Sequence, residues 1–195
     1  MIIIALEGLP CAGKTTFFNR FITENTSFHF IPELYIEIEN NDTSISIREK
    51  YSNAELIKKS KLKNNDVNVI SDRSFLSSLA FSYAMYKLKG NRDDHDYNLN
   101  FLEKNINNII IPNFVFVFLI PPTESLRRRK LLERDNSQEV FQNQYFLQYF
   151  SEFYKIDDFH KIVPKEKVIF VDTLANTNEE VYSLVRKEIV NLLRN

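Results

Sequence analysis

Residues 8–16 read Gly8-Leu9-Pro10-Cys11-Ala12-Gly13-Lys14-Thr15-Thr16, a complete G-x-x-x-x-G-K-[ST] pattern, and nothing else in the chain restricts its fold as much. The apolar run Ile2-Ile3-Ile4-Ala5-Leu6 precedes it and a helix-like segment, 16–24, follows. That is the strand–loop–helix context a phosphate-binding loop requires. The chain holds three glycines and two of them stand in this motif, which argues against a chance match. Gly8 and Gly13 permit backbone angles that a Cβ forbids, so successive N–H groups can turn inward on phosphate oxygens. The helix that opens near Lys14 adds its positive end. The residue types then suggest roles: the loop cradles the phosphates of a nucleoside triphosphate, Lys14 reaches the β- and γ-phosphates, and the Thr15 hydroxyl ligates Mg²⁺. Cys11, the only cysteine, reads as a small side chain that fits the loop, because phosphoryl transfer from a triphosphate needs no thiol.

The rest of the composition narrows the setting. A chain of 195 residues is one domain, or one domain with a small lid, and 44% hydrophobic content with 17 Phe and 9 Tyr builds a sizeable core. A net charge of −1 supplies no global basic field, so no nucleic-acid partner is expected. One cysteine excludes a disulfide framework within the chain and suits a reducing compartment. The N-terminus runs straight into a strand, and no apolar run approaches the ~20 residues of a membrane span. The expectation is a cytoplasmic protein with no membrane partner.

Hydrophobic periodicity predicts strands at 27–31, 67–71, 114–120 and 168–171 in addition to the first. Helices are predicted at 45–63, 75–88, 97–110, 123–135, 138–159 and 178–193, with a polar break at 40–44 and a charged loop at 90–96. In the last helix Val181, Leu184, Val185, Ile189, Leu192 and Leu193 fall on one face. Strands alternating with helices indicate an α/β fold: a three-layer arrangement with a five-stranded parallel sheet, helices on both faces, right-handed crossovers and a helical lid near 121–137. Reactive groups in such a sheet gather beyond the carboxyl ends of the strands.

Several residues stand at those ends. Asp72 follows the third strand and can hold Mg²⁺ opposite Thr15. Arg73 beside it can orient an acceptor phosphate or hydroxyl. Glu33, after the second strand, is placed to take the proton of an acceptor hydroxyl. Arg127, Arg128, Arg129, Lys130 and Arg134 make the helix after the fourth strand strongly basic, and Arg128 and Arg134 are chosen as the cations that neutralise developing charge. His29, His95 and His160 lack metal-ligand spacing, so no zinc site is expected. The aromatic series Phe141, Tyr145, Phe146, Tyr149, Phe150, Phe153 and Tyr154 reads as core, while Tyr35, Tyr51, Phe75 and Phe81 lie nearer an acceptor pocket where one of them can stack on a nucleobase.

Taken together the motifs resemble the thymidylate kinase and deoxynucleoside kinase group of P-loop kinases. Glu7-Gly8 leads into the loop as in that group. The segment Asp72-Arg73-Ser74-Phe75-Leu76-Ser77-Ser78-Leu79-Ala80-Phe81 is similar to the Asp-Arg-aromatic…Ser-Ser-x-Ala stretch of thymidylate kinases and to the acidic-Arg-Ser motif of deoxynucleoside kinases. Pro122-Thr123-Glu124-Ser125-Leu126-Arg127-Arg128 resembles the strand-to-lid transition of both, and Arg134 falls at a lid-arginine position. Asp172-Thr173-Leu174-Ala175-Asn176 stands where those families place the loop beside the adenine. The chain departs from the pattern at two places. Ile31-Pro32-Glu33-Leu34 lacks the arginine that helps thymidylate kinases with a monophosphate acceptor, and it resembles the strand-end glutamate of deoxynucleoside kinases. Leu132 stands where a lid arginine belongs. The resemblance implies Mg²⁺-dependent transfer of the γ-phosphoryl of ATP to a nucleoside or nucleoside monophosphate. Phosphorylation of another alcohol, such as an antibiotic or sugar-like metabolite, and a nucleotide-sensing ATPase without a small acceptor are the alternatives. An apolar helix face left uncovered would mark a homodimer.

Overall fold

The computed structural model describes residues 1–33, 46–60, 62, 67–131 and 139–194. Its five strands, all parallel, are β1 (Ile3–Gly8), β2 (Phe28–Ile31), β3 (Asn68–Asp72), β4 (Phe114–Leu119) and β5 (Val168–Asp172), in the spatial order β2-β3-β1-β4-β5. The helices are α1 (Lys14–Glu24), α2 (Ile47–Ser60), α3 (Phe75–Lys89), α4 (Asp93–Asn105), α5 (Pro122–Leu131), α6 (Gln144–Phe153), α7 (Asp157–Ile162) and α8 (Asn178–Leu192). The predicted three-layer α/β architecture is thus the observed one. In β1 every residue is buried, and β4 is buried along its centre. A strand covered on both faces has no solvent side, so its sequence runs apolar rather than alternating.

Aromatic side chains fasten the layers. Phe17 and Phe21 of α1 stack at 5.4 Å, and Phe17 meets Phe118 of β4 and Tyr182 of α8, which draws α1 and α8 together over the sheet. α6 packs alongside α3, where Phe81 meets Phe146 at 5.2 Å and Tyr83 meets Phe153 at 5.7 Å. Phe146, Phe150, Phe153 and Tyr154 are buried as expected and Phe141 and Tyr149 pack against them half-buried, but Tyr145, on the outer face of the first turn of α6, is 65% exposed and is not core.

Four local expectations give way. Residues 93–96 are not loop but the first turn of α4, where Asp93, Asp94 and Asp96 lie at the positive end of the helix. That helix stops at Asn105 rather than 110, because Asn105 O accepts from both Asn108 N and Ile109 N in a closing turn. The stretch 138–159 is not one helix. A 3₁₀ turn, Glu139–Gln142, leads to Asn143, whose side chain accepts from Tyr145 N and Phe146 N and so starts α6 afresh; a second break separates α6 from α7. On α8 the buried stripe is Val181, Tyr182, Val185 and Ile189, whereas Leu184 is 43% exposed: the stripe turns toward Tyr182, whose ring fills the space against Phe17. The break predicted at 40–44 lies outside the described residues, as does the helix beyond Leu131.

Candidate active site

β1 is the middle strand, and the loop that follows it lies at the carboxyl edge of the sheet, where ligands of such sheets collect. Gly8 has φ +120°, and a Cβ there would stand 2.3 Å from the Phe118 carbonyl oxygen, so β1 and β4 approach closely only because this residue is glycine. Cys11 and Gly13 also have left-handed backbone, φ 60° and 94°. Such a curl presents consecutive amides to an anion, and Gly13 passes the chain into the N-terminus of α1. Within the loop Leu9, Pro10 and Ala12 are buried, while Thr15 and Thr16 are exposed. The loop is braced from α5: Ser125 Oγ donates to Pro10 O at 2.7 Å.

Lys14 is buried and folds back over the loop, its Nζ donating to Gly8 O (3.1 Å) and Leu9 O (2.8 Å). Burial, and then the neighbouring Arg73 cation, lower its pKa to about 7 against the opposing pull of Asp72, Glu33 and Glu7. Thr15 Oγ1 donates to Asp72 Oδ2 at 2.8 Å, which joins the two residues expected at the metal. Asp72 is buried, and burial raises its pKa despite Lys14. Its other oxygen, Oδ1, is buried without a hydrogen-bond partner among the described residues. A carboxylate oxygen left in that state carries a desolvation cost that a hard cation would relieve. A hydroxyl and a carboxylate side by side, with one oxygen unclaimed, fit Mg²⁺.

Sheet order explains how Glu33 and Arg73 meet. β2 and β3 are neighbours with Ile31 opposite Ser71, so two residues further on Glu33 comes opposite Arg73. Arg73 Nε lies 2.5 Å from Glu33 Oε1, and Nη1 donates to Gly8 O (3.3 Å) and Ser77 Oγ (3.2 Å). Arg73 holds a left-handed backbone, φ 70°, a conformation that costs a non-glycine residue about 1–3 kcal/mol and clusters at functional sites. The structure therefore gathers Lys14, Thr15, Asp72, Arg73 and Glu33 at one end of three adjacent strands.

Arg128 is placed differently. Its Nε donates to Glu124 Oε1 (2.7 Å), its Nη1 to Cys11 O (3.3 Å) and its Nη2 to Thr173 O (3.2 Å). The guanidinium thus ties the phosphate loop to the turn after β5. Glu124, gripped by Arg127 and by Arg128, has its pKa pulled down to about 2. Arg134 and Tyr35 lie outside the described residues. Phe75 packs on Phe101 at 5.3 Å, and Phe81 packs on Phe141 and Phe146, so both belong to the aromatic core.

Glu7, noted in the sequence only as the residue that leads into the loop, has a larger place in the structure. It is fully buried one position before the loop and accepts four hydrogen bonds, from Ser74 N, Ser74 Oγ, Ser77 Oγ and Tyr154 Oη. The available signal is a lone acid at the end of an otherwise apolar strand.

No family model matches the chain, and no curated protein matches it in sequence. Solved structures do match. The structure of deoxyadenosine kinase from M. mycoides with products dCMP and a flexible dCDP bound superposes with a TM-score of 0.72 at 19% identity, over 97% of this chain and 100% of that one. The same enzyme with bound dATP gives 0.73 at 18% identity, over 96% and 99%. Thymidylate kinase from Candida albicans gives 0.72 at 17% identity, over 97% and 91%. The chain has the fold of these kinases. It covers 91–100% of those chains, and the expected fold is the observed one.

Proposed function

We propose that the protein is a phosphotransferase that uses ATP and Mg²⁺ to phosphorylate a nucleoside or nucleoside monophosphate, with a neutral hydroxyl as the favoured acceptor. The observation that carries this reading is the convergence of Glu33 and Arg73 with Lys14, Thr15 and Asp72. A phosphate-binding loop alone serves any nucleotide-dependent protein; a carboxylate–guanidinium pair beside it supplies what an acceptor needs. The loop amides and Lys14 hold the donor phosphates, and Lys14 exchanges the carbonyls of Gly8 and Leu9 for phosphate oxygens. Thr15 and Asp72 would hold the metal, whose charge would offset that developing on the phosphates. Glu33 Oε1 is engaged by Arg73, so Oε2 is the oxygen that takes the acceptor's proton.

Two of the three Arg73 guanidinium nitrogens are already committed, Nε to Glu33 and Nη1 to Gly8 O and Ser77 Oγ, so Arg73 is poorly placed to clamp an acceptor phosphate and instead orients the hydroxyl of a nucleoside. Arg128 fastens the loop from the base side, and the segment 121–137, of which α5 forms the first turns, serves as a lid that brings Arg134 to the phosphates. The reading includes a cytoplasmic location. The deoxyadenosine kinase and thymidylate kinase neighbours support it through a shared fold.

A mass-spectrometric acceptor screen tests it: purified protein, Mg²⁺-ATP, and pools of nucleosides and nucleoside monophosphates, with Lys14→Ala as control. A nucleoside monophosphate product absent from the control is the expected result. A nucleoside diphosphate would move the acceptor phosphate onto Arg73. No product in any pool, with ATP binding intact, would overturn the assignment in favour of another alcohol or a nucleotide-dependent switch.

A further inference from the structure

Glu7 sits where an apolar side chain would be expected, at the buried end of the central strand. Removing a carboxylate from water is costly unless its oxygens are claimed, and here each is claimed twice. Oε1 accepts from Ser74 N (2.9 Å) and Ser74 Oγ (2.7 Å); Oε2 accepts from Ser77 Oγ (2.5 Å) and Tyr154 Oη (2.9 Å). Direction in this network is fixed by chemistry. Arginine can only donate, so Ser77 Oγ must accept from Arg73 Nη1 and spend its single proton on Glu7. The path runs Arg73 N–H to Ser77 O–H to Glu7 carboxylate.

The same carboxylate holds the backbone that presents Arg73. Ser74 caps α3 by accepting from Leu76 N, and both its N–H and its hydroxyl donate to Glu7. Arg73 N donates to Leu6 O, the residue before Glu7 in β1. The left-handed turn at Arg73 is thus clamped on both sides by β1, and Tyr154, fully buried in the aromatic core beyond α6, fixes Glu7 from behind.

We infer that Glu7 is a positioning residue: acting through Ser74 and Ser77, it aims the Arg73 guanidinium at the acceptor. The inference rests on the proposed role of Arg73 toward an acceptor. It assigns Glu7 no contact with substrate. It also explains why an amide would not serve. All four partners donate to Glu7, and a glutamine would turn an N–H₂ group either on Ser74 N–H and O–H or on the hydroxyls of Ser77 and Tyr154, so in each orientation one of the two links to Arg73 loses its acceptor.

The test uses the whole 195-residue chain and the acceptor found in the screen. Glu7→Gln is expected to raise the acceptor KM about tenfold while the Kd for ADP changes less than about twofold. Ser77→Ala removes the link to Arg73 and should give the same acceptor defect, and in the double variant the two losses should not multiply. Tyr154→Phe removes the other donor on the same oxygen; Tyr154 borders Ser77 but stands one link further from Arg73. It should lower Tm and change the acceptor KM less than about threefold. If Glu7→Gln does not fold, the contrast between Ser77→Ala and Tyr154→Phe carries the test alone. Acceptor KM values unchanged in Ser77→Ala and Glu7→Gln, or equal defects in Ser77→Ala and Tyr154→Phe, would overturn the positioning role and leave Glu7 a structural hub. A wild-type protein that phosphorylates no acceptor would instead overturn the proposed function beneath it.

Discussion

Lys14 offers the sharpest physical test of the site. Buried against Arg73, it has a pKa of about 7 in place of the ordinary 10.5. An anionic phosphate brought to its Nζ favours the charged form, so nucleotide binding should return the lysine toward its ordinary value. At about pH 8 a group of pKa about 7 is protonated in roughly one molecule in eleven, and in the complex in nearly all, so binding should take up about 0.9 proton. Above pH ~7 the affinity should fall by up to tenfold per unit of pH, until the pKa of the bound lysine is reached. Titration calorimetry with ADP at about pH 8, in two buffers of different ionisation heat, reads the proton count directly; the phosphates are then already ionised, and omitting Mg²⁺ keeps Asp72 out of the balance. Lys14→Met should bind more weakly and lose the uptake. The sign in the free protein follows the same linkage. The unfolded lysine holds its proton up to about 10.5 and the folded one only to about 7, so stability should rise with pH across that window. Less than about 0.3 proton taken up by the wild type, or equal uptake by Lys14→Met, would refute the burial argument.

Two further outcomes follow from the packing. Gly8→Ala sets a Cβ 2.3 Å from Phe118 O on a backbone with φ +120°; a loss of about 3 kcal/mol or more, read as a fall in Tm of about 6–12 °C, is expected, and a fall under about 2 °C would show that β1 and β4 can separate cheaply. His95 is buried, bonded to Ser82 Oγ, and held below its ordinary pKa by burial and then by Arg92, against Asp96 and Asp158. The unfolded histidine therefore takes up its proton first as pH falls below about 6.5, and stability should drop there. In His95→Gln the dependence of Tm on pH between about 7.5 and 5 should be shallower, and an unchanged slope would clear His95 of the effect.

The parts of the site legible in sequence were those fixed by position within a single strand–loop unit. Lys14 and Thr15 follow from the loop pattern, and Asp72, Arg73 and Glu33 from standing just past apolar strands. Their pairing was not legible, because Glu33 meets Arg73 only once β2 lies beside β3, and strand order is a tertiary fact. Glu7 and Tyr154 stand 147 residues apart and share no local pattern. The helix errors have the opposite origin. Asn143 and the acidic 93–96 segment are local capping signals, but the aromatic and charged composition around them hid the breaks: a side chain that accepts from two amides starts a helix whatever the hydrophobic period suggests. The partners of Arg128 were out of reach for a related reason. Helical spacing gave its approximate face but not that Glu124, one turn earlier, would hold its Nε while the carbonyls of Cys11 and Thr173 took the rest.

The charges around the loop explain why these separate features belong together. Lys14 and Arg73 stand among Glu7, Glu33 and Asp72, each of which acts on Lys14. Two cations against three carboxylates leave no surplus positive charge for a bare triphosphate, and Lys14, with a pKa of about 7, is only partly charged near neutral pH. Such a site gains little from phosphate alone. A divalent cation on Thr15 and Asp72 would claim the unpaired Asp72 oxygen, reverse the local balance and help hold the Lys14 proton on its phosphate partner. On the proposed function, then, metal and nucleotide should bind with positive coupling, each weaker without the other. Glu7 belongs to this account as well: its charge is offset by four fixed donors, so it steadies Arg73 without competing for the metal.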